Sequence, residues 1–443
     1  MNTGELRQAV LDGGVDTVLL AATDMQGRLQ GKRIDATHFL EEVLGHGAEA
    51  CSYLLATDVE MNTVGGFALT SWEAGYGDFE LRPDPATLRP VPWQPATVLC
   101  FADIHGRAGE PLAVSPRQVL RHQLDRLAAL GWSANAATEL EFIVFEDSYE
   151  QAWDSAYGGL TPANRYNVDY SLLGTARVEP LIGRIRREMA AAGLVVEASK
   201  GECNPGQHEI NFRYSDALAT ADDHAFYKNG AKEIAAQEGC SLTFMAKYDE
   251  REGNSCHVHI SLAGQSGAAV FAERPEVFDH FLAGLLAGTQ ELTLLHAPNV
   301  NSYKRFAEGS FAPTALAWGR DNRTCSFREV GGGAARRIEC RLPGADVNPY
   351  LTLAALIAAG LDGVERELDP PSPLDGNAYA DRTAPRVPST LAEAHRLFSG
   401  SELARAAFGE TVVEHYAQAA AVELAAFNAA VTDWERVRGF ERL

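Results

Sequence analysis

The chain has 443 residues, and 38 lysines and arginines against 60 aspartates and glutamates give a formal net charge of −22. Hydrophobic residues at 46% and charged residues at 22% are the proportions of a folded globular protein and exclude a disordered chain, which could not bury enough apolar surface to offset the entropy of ordering. So acidic a chain is a poor partner for nucleic acid or an anionic membrane, and at about 150 residues per domain its length allows two or three domains.

At the N-terminus Glu5, Asp12 and Asp16 interrupt any basic-then-apolar leader. No run reaches the roughly 20 apolar residues of a membrane span, the best being residues 350–361. Seven cysteines without a Cys-x-x-Cys pair suit reduced thiols, so a cytoplasmic protein is expected. The first hundred residues read as short strands and turns: an apolar run over 15–21, the turn Asp24-Met25-Gln26-Gly27, and a return strand over 28–34. Residues 63–92 are rich in glycine and proline, and 97–104 are a further strand. Ser115-Pro116 then opens a helix that Gly131 stops. Strand-like and helical segments alternate from there. Asn348-Pro349 opens another helix, Thr390 with Glu393 predicts a capping box, and residues 410–437 read as one long helix. A small N-terminal domain over residues 1–107 and a large α+β domain over 108–443 are expected.

Three segments carry charge where an apolar strand would be ordinary. Glu139 and Glu141 sit at i and i+2 in Thr138-Glu139-Leu140-Glu141-Phe142, as do His257 and His259 in Cys256-His257-Val258-His259-Ile260. Arg337, Glu339 and Arg341 do the same, with Ile338 and Cys340 between them. Strand side chains alternate, so each set shares one face. A solvated sheet face gives this alternation for any one strand; three such strands, mixing metal-ligand and anion-binding groups, argue for a charged concavity whose groups need one another, metal ions or a charged ligand. Glu202 and Glu209 flank a Pro205-Gly206 turn. With Glu139, Glu141, Glu339 and one histidine they form a carboxylate-dominated ligand set, which suits Mg²⁺ or Mn²⁺ better than zinc. The His-x-His pair alone is a weak signal, since zinc hydrolases also use it, and Cys256 reads as a packed thiol. From 304 to 341 there are eight basic residues, seven of them arginine, against four acidic ones. Arginine suits bidentate contact with carboxylate and phosphate. Divalent cations and arginines together imply phosphoryl chemistry, and the absence of a Gly-x-x-x-x-Gly-Lys-[Ser/Thr] loop excludes a P-loop.

Glu139-Leu140-Glu141-Phe142, Pro205-Gly206-Gln207-His208-Glu209, His257-x-His259-x-Ser261, Asn301-Ser302-Tyr303-Lys304-Arg305, Arg337-x-Glu339-x-Arg341 and Asn348-Pro349-Tyr350-Leu351 occur in one order along the chain. In this the sequence resembles the type I glutamine synthetase family over nearly its whole length. The resemblance implies an N-terminal β-grasp domain and a larger catalytic domain with a curved antiparallel sheet or barrel flanked by helices. It also implies a homododecamer of two stacked hexameric rings, with active sites between ring neighbours. By the same resemblance Glu141, Glu202 and Glu209 hold a first metal, and Glu139, His257 and Glu339 a second. Two or three Mg²⁺ or Mn²⁺ ions and ATP are implied. Glu197, Tyr214, His259, Ser261 and Arg337 match nucleotide-site residues; Glu141, Gly253, Arg305 and Arg341 match the glutamate side; Arg323, Arg328 and Arg341 match the catalytic arginines.

Two departures bear on the substrate. The family's Gly-x-Glu-Ala-Pro flap, whose glutamate lines the ammonium site, here reads Gly309-Ser310-Phe311-Ala312-Pro313. The family's Asp-Gly-Ser-Ser motif has no counterpart, and Asp58 and Glu60 are the candidates left in that stretch. Loss of anionic groups removes what holds a small cation, an aromatic face being a weaker substitute. The resemblance thus implies ATP-dependent joining of L-glutamate to an amine larger than ammonium, a small monoamine such as ethanolamine first and a diamine or polyamine second. A true glutamine synthetase and a non-catalytic family member are the alternatives. Ala334, where many relatives carry lysine, softens one nucleotide contact, and Tyr379, near a tyrosine that some relatives modify, reads as an exposed loop residue without a role.

Overall fold

A computed structural model describes residues 1–264 and 267–443. Among these, the first sheet contains β1 (Thr17–Thr23), β2 (Leu29–Asp35), β3 (Ala48–Cys51), β4 (Asp78–Pro83), β5 (Arg89–Pro90) and β6 (Thr97–His105). Its order is β2-β1-β6-β4-β3, with β5 on β6. β1 and β6 run parallel and the other pairs antiparallel. The β1–β2 turn closes as its residues dictate. Asp24 Oδ1 accepts from the amides of Gln26 (3.0 Å) and Arg28 (2.9 Å), and Gly27 takes φ +78°, where a Cβ would also crowd the Asn348 backbone at 3.1 Å. The short helix Thr3–Leu11 was not expected, although Asn2 and Glu5 form a capping box that the sequence displays.

The second sheet contains β7 (Trp132–Phe145), β8 (Val196–Gly201), β9 (Gln207–Phe212), β10 (Ser215–Asp216), β11 (Ser241–Thr243), β12 (Cys256–Gly264), β13 (Trp318–Arg320), β14 (Phe327–Val330) and β15 (Arg337–Cys340). Its order is β13-β14-β15-β12-β7-β9-β8, and only β13–β14 is parallel. Leu140, Phe142, Val258, Ile260, Ile338 and Cys340, the apolar partners in the alternating strands, are buried. They share one core with residues of the helices Pro116–Ala129, Ala217–Gln237 and Pro349–Glu365. Each such side chain contributes about 1.5–3 kcal/mol on burial, which anchors the sheet by its apolar face and leaves the charged face free. The apolar run at 350–361 is this third helix, buried on nearly every side. Among the described residues no helix is long and apolar enough to cross a membrane.

Two expectations are corrected at the C-terminal end. Thr390 caps its helix by accepting from the Glu393 amide, but the Glu393 carboxylate reaches back to the Ser389 amide (2.8 Å) and not to Thr390, so the box is only half formed. The helix expected over 410–437 stops at Ala429, because Ala430 turns to extended backbone, and Thr432 with Glu435 caps a separate helix Asp433–Gly439.

A buried cation joins the first sheet to the helices that share a core with the second. Arg117, 3% exposed, donates to Asp222 (3.0 and 2.9 Å), to Asp103 in β6 (2.7 Å) and to Asp84 just after β4 (2.8 Å). Tyr350 Oη donates to the same Asp222 at 2.6 Å. Beside it, Asn348 Nδ2 donates to the Asp24 and Met25 carbonyls of the β1–β2 turn. Removing one member of such a network strands the others without a counter-charge, at a cost of about 3–5 kcal/mol. Arg117→Met is therefore expected to lower the urea-unfolding free energy by about that amount, and Arg117→Met with Asp222→Asn by less.

Candidate active site on the charged face of the large sheet

Strand register brings the charged residues together. Glu139 of β7 stands opposite His257 of β12, Glu141 opposite Glu209 of β9, His259 opposite Glu339 of β15, and Arg328 of β14 opposite Glu339. Directly paired residues share a face, so alternation along each strand and register between strands place one charged patch across the sheet.

The first group is Glu141, Glu202 and Glu209, whose oxygens lie within 4.8 Å of one another. Glu141 is 8% exposed; its Oε2 accepts from the Ser255 amide (2.7 Å) and from Gln207 Nε2 (3.2 Å). Gln207 Nε2 also donates to the Gly253 carbonyl (2.9 Å) and to Asn254 Oδ1 (3.0 Å). Glu202 takes Lys200 Nζ at 2.5 Å. Burial and the neighbouring Glu202 push Glu141 up to about 7. Burial, followed by Glu141, Glu139 and Glu202, pushes Glu209 up to about 9. An all-carboxylate set this crowded fits a hard divalent cation of the Mg²⁺ or Mn²⁺ class, which would neutralise it.

The second group is Glu139, His257 and Glu339, again with ligand atoms within 4.8 Å. Burial tends to raise Glu139, but hydrogen bonds to His257 and His259 outweigh it and hold its carboxyl below the usual range. Burial likewise opposes ionisation of Glu339, and the His257 and Arg341 side chains outweigh it, bringing the group to about 2. Glu339 Oε2 accepts from Arg328 (2.7 Å) and Oε1 from Arg341 (2.5 Å). His257 is pushed down to about 4, by burial and then by Arg341, and so is the neutral imidazole that metal coordination requires. Its Nδ1 faces Glu139 (3.5 Å) and Glu339 (3.8 Å) and is the ring nitrogen this donor set offers to the same class of cation, while its Nε2 is buried without a hydrogen-bond partner among the described residues. Arg337 Nε, which can only donate, lies 3.2 Å from His259 Nδ1, which therefore accepts, and His259 Nε2 donates to Glu139 (2.9 Å).

Beside this group opens a cavity of about 590 Å³ lined by Glu139, Glu197, Tyr214, His259, Ser261 and Arg337 among others. The five residues expected around a nucleotide thus line one cleft, and Ala334 lines it too. Its volume suits a ligand of nucleotide size.

The remaining expected residues fall into different places. Arg323 is exposed. Arg328 bridges Glu339 and Asp321. Arg341 is bound to Glu339, and its buried Nε–H is without a partner among the described residues. Arg305 differs from its expected place against glutamate. It is 2% exposed, and its guanidinium is committed to the Leu342 (2.7 Å) and Arg341 (2.9 Å) carbonyls and to Ser255 Oγ (3.3 Å), making it a strut beneath the site. Gly253 packs on it so closely that a Cβ there would meet the Arg305 stem at 2.8 Å. Phe311 is 59% exposed and holds φ +57°. Asp58 and Glu60 are not brought to the metal groups of this chain. Asp58 lines a separate cavity of about 70 Å³ with Tyr416 and Glu423, and Glu60 is exposed on the same turn. Tyr379, expected to be an exposed loop residue, is buried, and its hydroxyl donates to the Ala312 carbonyl of the 308–313 loop.

Lys200 and Asp321 went unnoticed in the sequence. Lys200 Nζ also holds Asp169 (2.9 Å) and lies over the Tyr170 ring. The signal was present, since Lys200 and Glu202 stand at i and i+2, the spacing that exposed Glu139 and Glu141. For Asp321 no signal exists, because a left-handed turn residue (φ +51°) gives no periodic mark.

A family model described as glutamine synthetase, catalytic domain, matches residues 113–438. The chain is 62% identical to gamma-glutamylethanolamide synthetase GlnA4 of Streptomyces coelicolor, over 99% of this chain and 96% of that one. It is 41% identical to glutamate–isopropylamine ligase of a Pseudomonas species, over 98% and 97%. Among solved structures, the GmaS/ADP complex aligns with a TM-score of 0.86 at 29% identity, covering 98% of this chain and 99% of that one.

The crowded glutamates make metal binding and stability depend on pH together. Glu141 and Glu209 have folded values of about 7 and about 9, above the value of about 4.3 expected in an unfolded chain. The metal-free fold therefore binds more protons than the unfolded chain in this window, and its stability falls as pH rises through it. A divalent cation needs the ionised carboxylates and removes that penalty. The Mg²⁺-induced rise in Tm, read by calorimetry against an EDTA control, is expected to be larger at about pH 8.5 than at about pH 6. Equal rises at both would contradict the assignment.

Proposed function

The chain belongs to the glutamine synthetase family, and from that premise we propose that it joins the γ-carboxyl of L-glutamate to an amine larger than ammonium, with hydrolysis of ATP to ADP and phosphate. A small monoamine such as ethanolamine is the first candidate. The observation that carries this reading is the contrast within one site. Both metal-competent groups and the nucleotide-sized cleft are complete, while the flap that would present an acid to ammonium presents Phe311. Similarity to a γ-glutamylethanolamide synthetase and to a glutamate–isopropylamine ligase points the same way.

In this reading Glu141, Glu202 and Glu209 hold one Mg²⁺ or Mn²⁺ ion and Glu139, His257 and Glu339 another; bound there, the cations offset charge on the carboxylate and phosphate oxygens. Glu197, Tyr214, His259, Ser261 and Arg337 receive ATP. Gly253 and Arg341 face glutamate, with Arg305 holding the Arg341 backbone beneath it. The γ-carboxylate attacks the γ-phosphorus and ADP leaves, giving γ-glutamyl phosphate. Arg323, which is exposed, and Arg328 stabilise the transferring phosphoryl group. The amine nitrogen, as the free base, then attacks the acyl carbon, and the C–O bond to phosphate breaks. Residues 1–107 act as a β-grasp domain and 108–443 as the catalytic domain. The protein works in the cytoplasm as a dodecamer of two stacked rings, in which the Asp58–Glu60 turn completes a neighbour's amine pocket.

ADP release with ATP, Mg²⁺, glutamate and a panel of amines tests the reading. Turnover is expected to be best with ethanolamine, then with other small monoamines, and weakest with ammonium. Best turnover with ammonium would make the chain a glutamine synthetase, and silence with every amine would make it a non-catalytic family member. Phe311→Glu is expected to shift the ethanolamine-to-ammonium ratio of kcat/KM toward ammonium by about tenfold, or about 1.4 kcal/mol.

A further inference from the structure

The 308–313 loop reaches the solvent with an aromatic residue in a conformation that a side chain resists. Phe311 has φ +57° and is more than half exposed, so burial of its ring cannot be what holds it there. The loop's own bonds are modest: Ser310 Oγ donates to the Ala307 carbonyl (2.6 Å), and the Ala312 amide donates to Ser310 Oγ (3.4 Å). Its far end is fixed, since the Leu316 amide donates to the Pro385 carbonyl (2.7 Å) and the Val387 amide to the Thr314 carbonyl (3.1 Å). Between these anchors, Tyr379 Oη donates to the carbonyl of Ala312, the residue after Phe311, at 3.0 Å.

Tyr379 is itself well seated. It lies on the turn Ala378–Ala380, capped by Asn377 Oδ1 accepting from the Tyr379 amide (3.0 Å). The Ala378 amide donates to Thr324 Oγ1 (2.9 Å), and Asn322 Nδ2 donates to the Gly376 carbonyl (2.8 Å). Asn322 and Thr324 flank Arg323. A rigid turn braced against the arginine loop thus supports one point of the flap, next to its strained residue.

We propose that Tyr379 is a positioning residue that pins the 308–313 loop through the Ala312 carbonyl, fixing where Phe311 stands and so the shape of the amine side of the site. This deepens the ligase reading and rests on it. The hydroxyl holds the backbone next to Phe311, so in this reading its effect falls on the amine, the substrate whose pocket Phe311 shapes. A loosened loop also lets water take the amine's place at the acyl carbon of γ-glutamyl phosphate; the C–O bond to phosphate breaks, and glutamate and inorganic phosphate are released with no amide formed.

Tyr379→Phe removes the one hydroxyl and keeps the ring. Initial rates of ADP and amide formation are expected to show KM for ethanolamine raised about fivefold or more, KM for ATP and for glutamate within about twofold of the parent, and more ADP released per amide made. All three KM values unchanged, or all three raised together, would overturn the proposal, the latter by marking a merely structural role. Hydrogen–deuterium exchange reads the pin without turnover: residues 308–313 are expected to exchange faster in Tyr379→Phe, and unchanged exchange would also overturn it. Failure of the parent enzyme to form an amide with any amine would sink the ligase reading alone, because the exchange experiment stands without it.

Discussion

Three glutamates meet at one point of this fold, and among the described residues no cation is sufficient for them. Glu141, Glu202 and Glu209 approach within 4.8 Å, and among the described residues only Lys200 on Glu202 offers a direct counter-charge. Like charges at that spacing in a buried place cannot all ionise unaided, so the polypeptide must supply the energy that holds them there. It comes from the other face of the same strands. Leu140, Ile210, Val258 and Ile338 are buried against helices, and they fix β7, β9, β12 and β15 in a register from which the glutamates cannot retreat. The buried Arg117 network then ties the helices packed on this sheet to the first one. The fold keeps an electrostatically unfavourable site because its apolar layer is on the reverse of it.

The two metal-competent groups are not equivalent. Glu139 and Glu339 are held ionised by histidine and arginine neighbours, whereas Glu141 and Glu209 are pushed toward the protonated form. The second group is therefore an anionic cradle before any cation arrives, with the neutral His257 ready as a ligand. The first becomes anionic only with the cation. Charge at the Glu139–His257–Glu339 group is preorganised and charge at the Glu141–Glu202–Glu209 group would be coupled to loading, an asymmetry that follows from which residues surround each group.

Legibility from sequence followed physical range. Alternation is a short-range property, so Glu139 and Glu141, His257 and His259, and Arg337, Glu339 and Arg341 were readable as faces. The strands over 17–23, 29–35 and 97–105 and the helices opened by Pro116 and Pro349 were readable for the same reason. Joining the sets needed the resemblance to a family, because register between strands far apart in sequence is fixed by tertiary packing that no local pattern encodes. Burial of single polar residues was least legible. Arg305 looked like a substrate arm and is a strut, and Tyr379 looked like a loop residue and is packed beneath one. In each case the deciding partners are carbonyl oxygens, at Leu342 and Ala312, which every residue carries and no sequence distinguishes.

The same limit alters the meaning of the arginine-rich strip at 304–341. Counted along the chain it is a positive segment in a protein of charge −22, which suggests a surface waiting for anions. In the structure most of that charge is already engaged. Arg328 and Arg341 hold Glu339, Arg336 holds Glu329, Arg337 meets His259, and Arg305 is bound to carbonyls. Arg323 remains exposed at the edge. The strip is therefore less an anion receptor than the counter-charge that allows Glu339 to lie buried and ionised. In the proposed reading, attraction for phosphate then depends on cations held by the glutamates, with the exposed Arg323 as a supplement. The arginines and the glutamates are two halves of one balance, and in the proposed reading the part of the site outside that balance is the flap, where an uncharged Phe311 stands and specificity can vary without disturbing the rest.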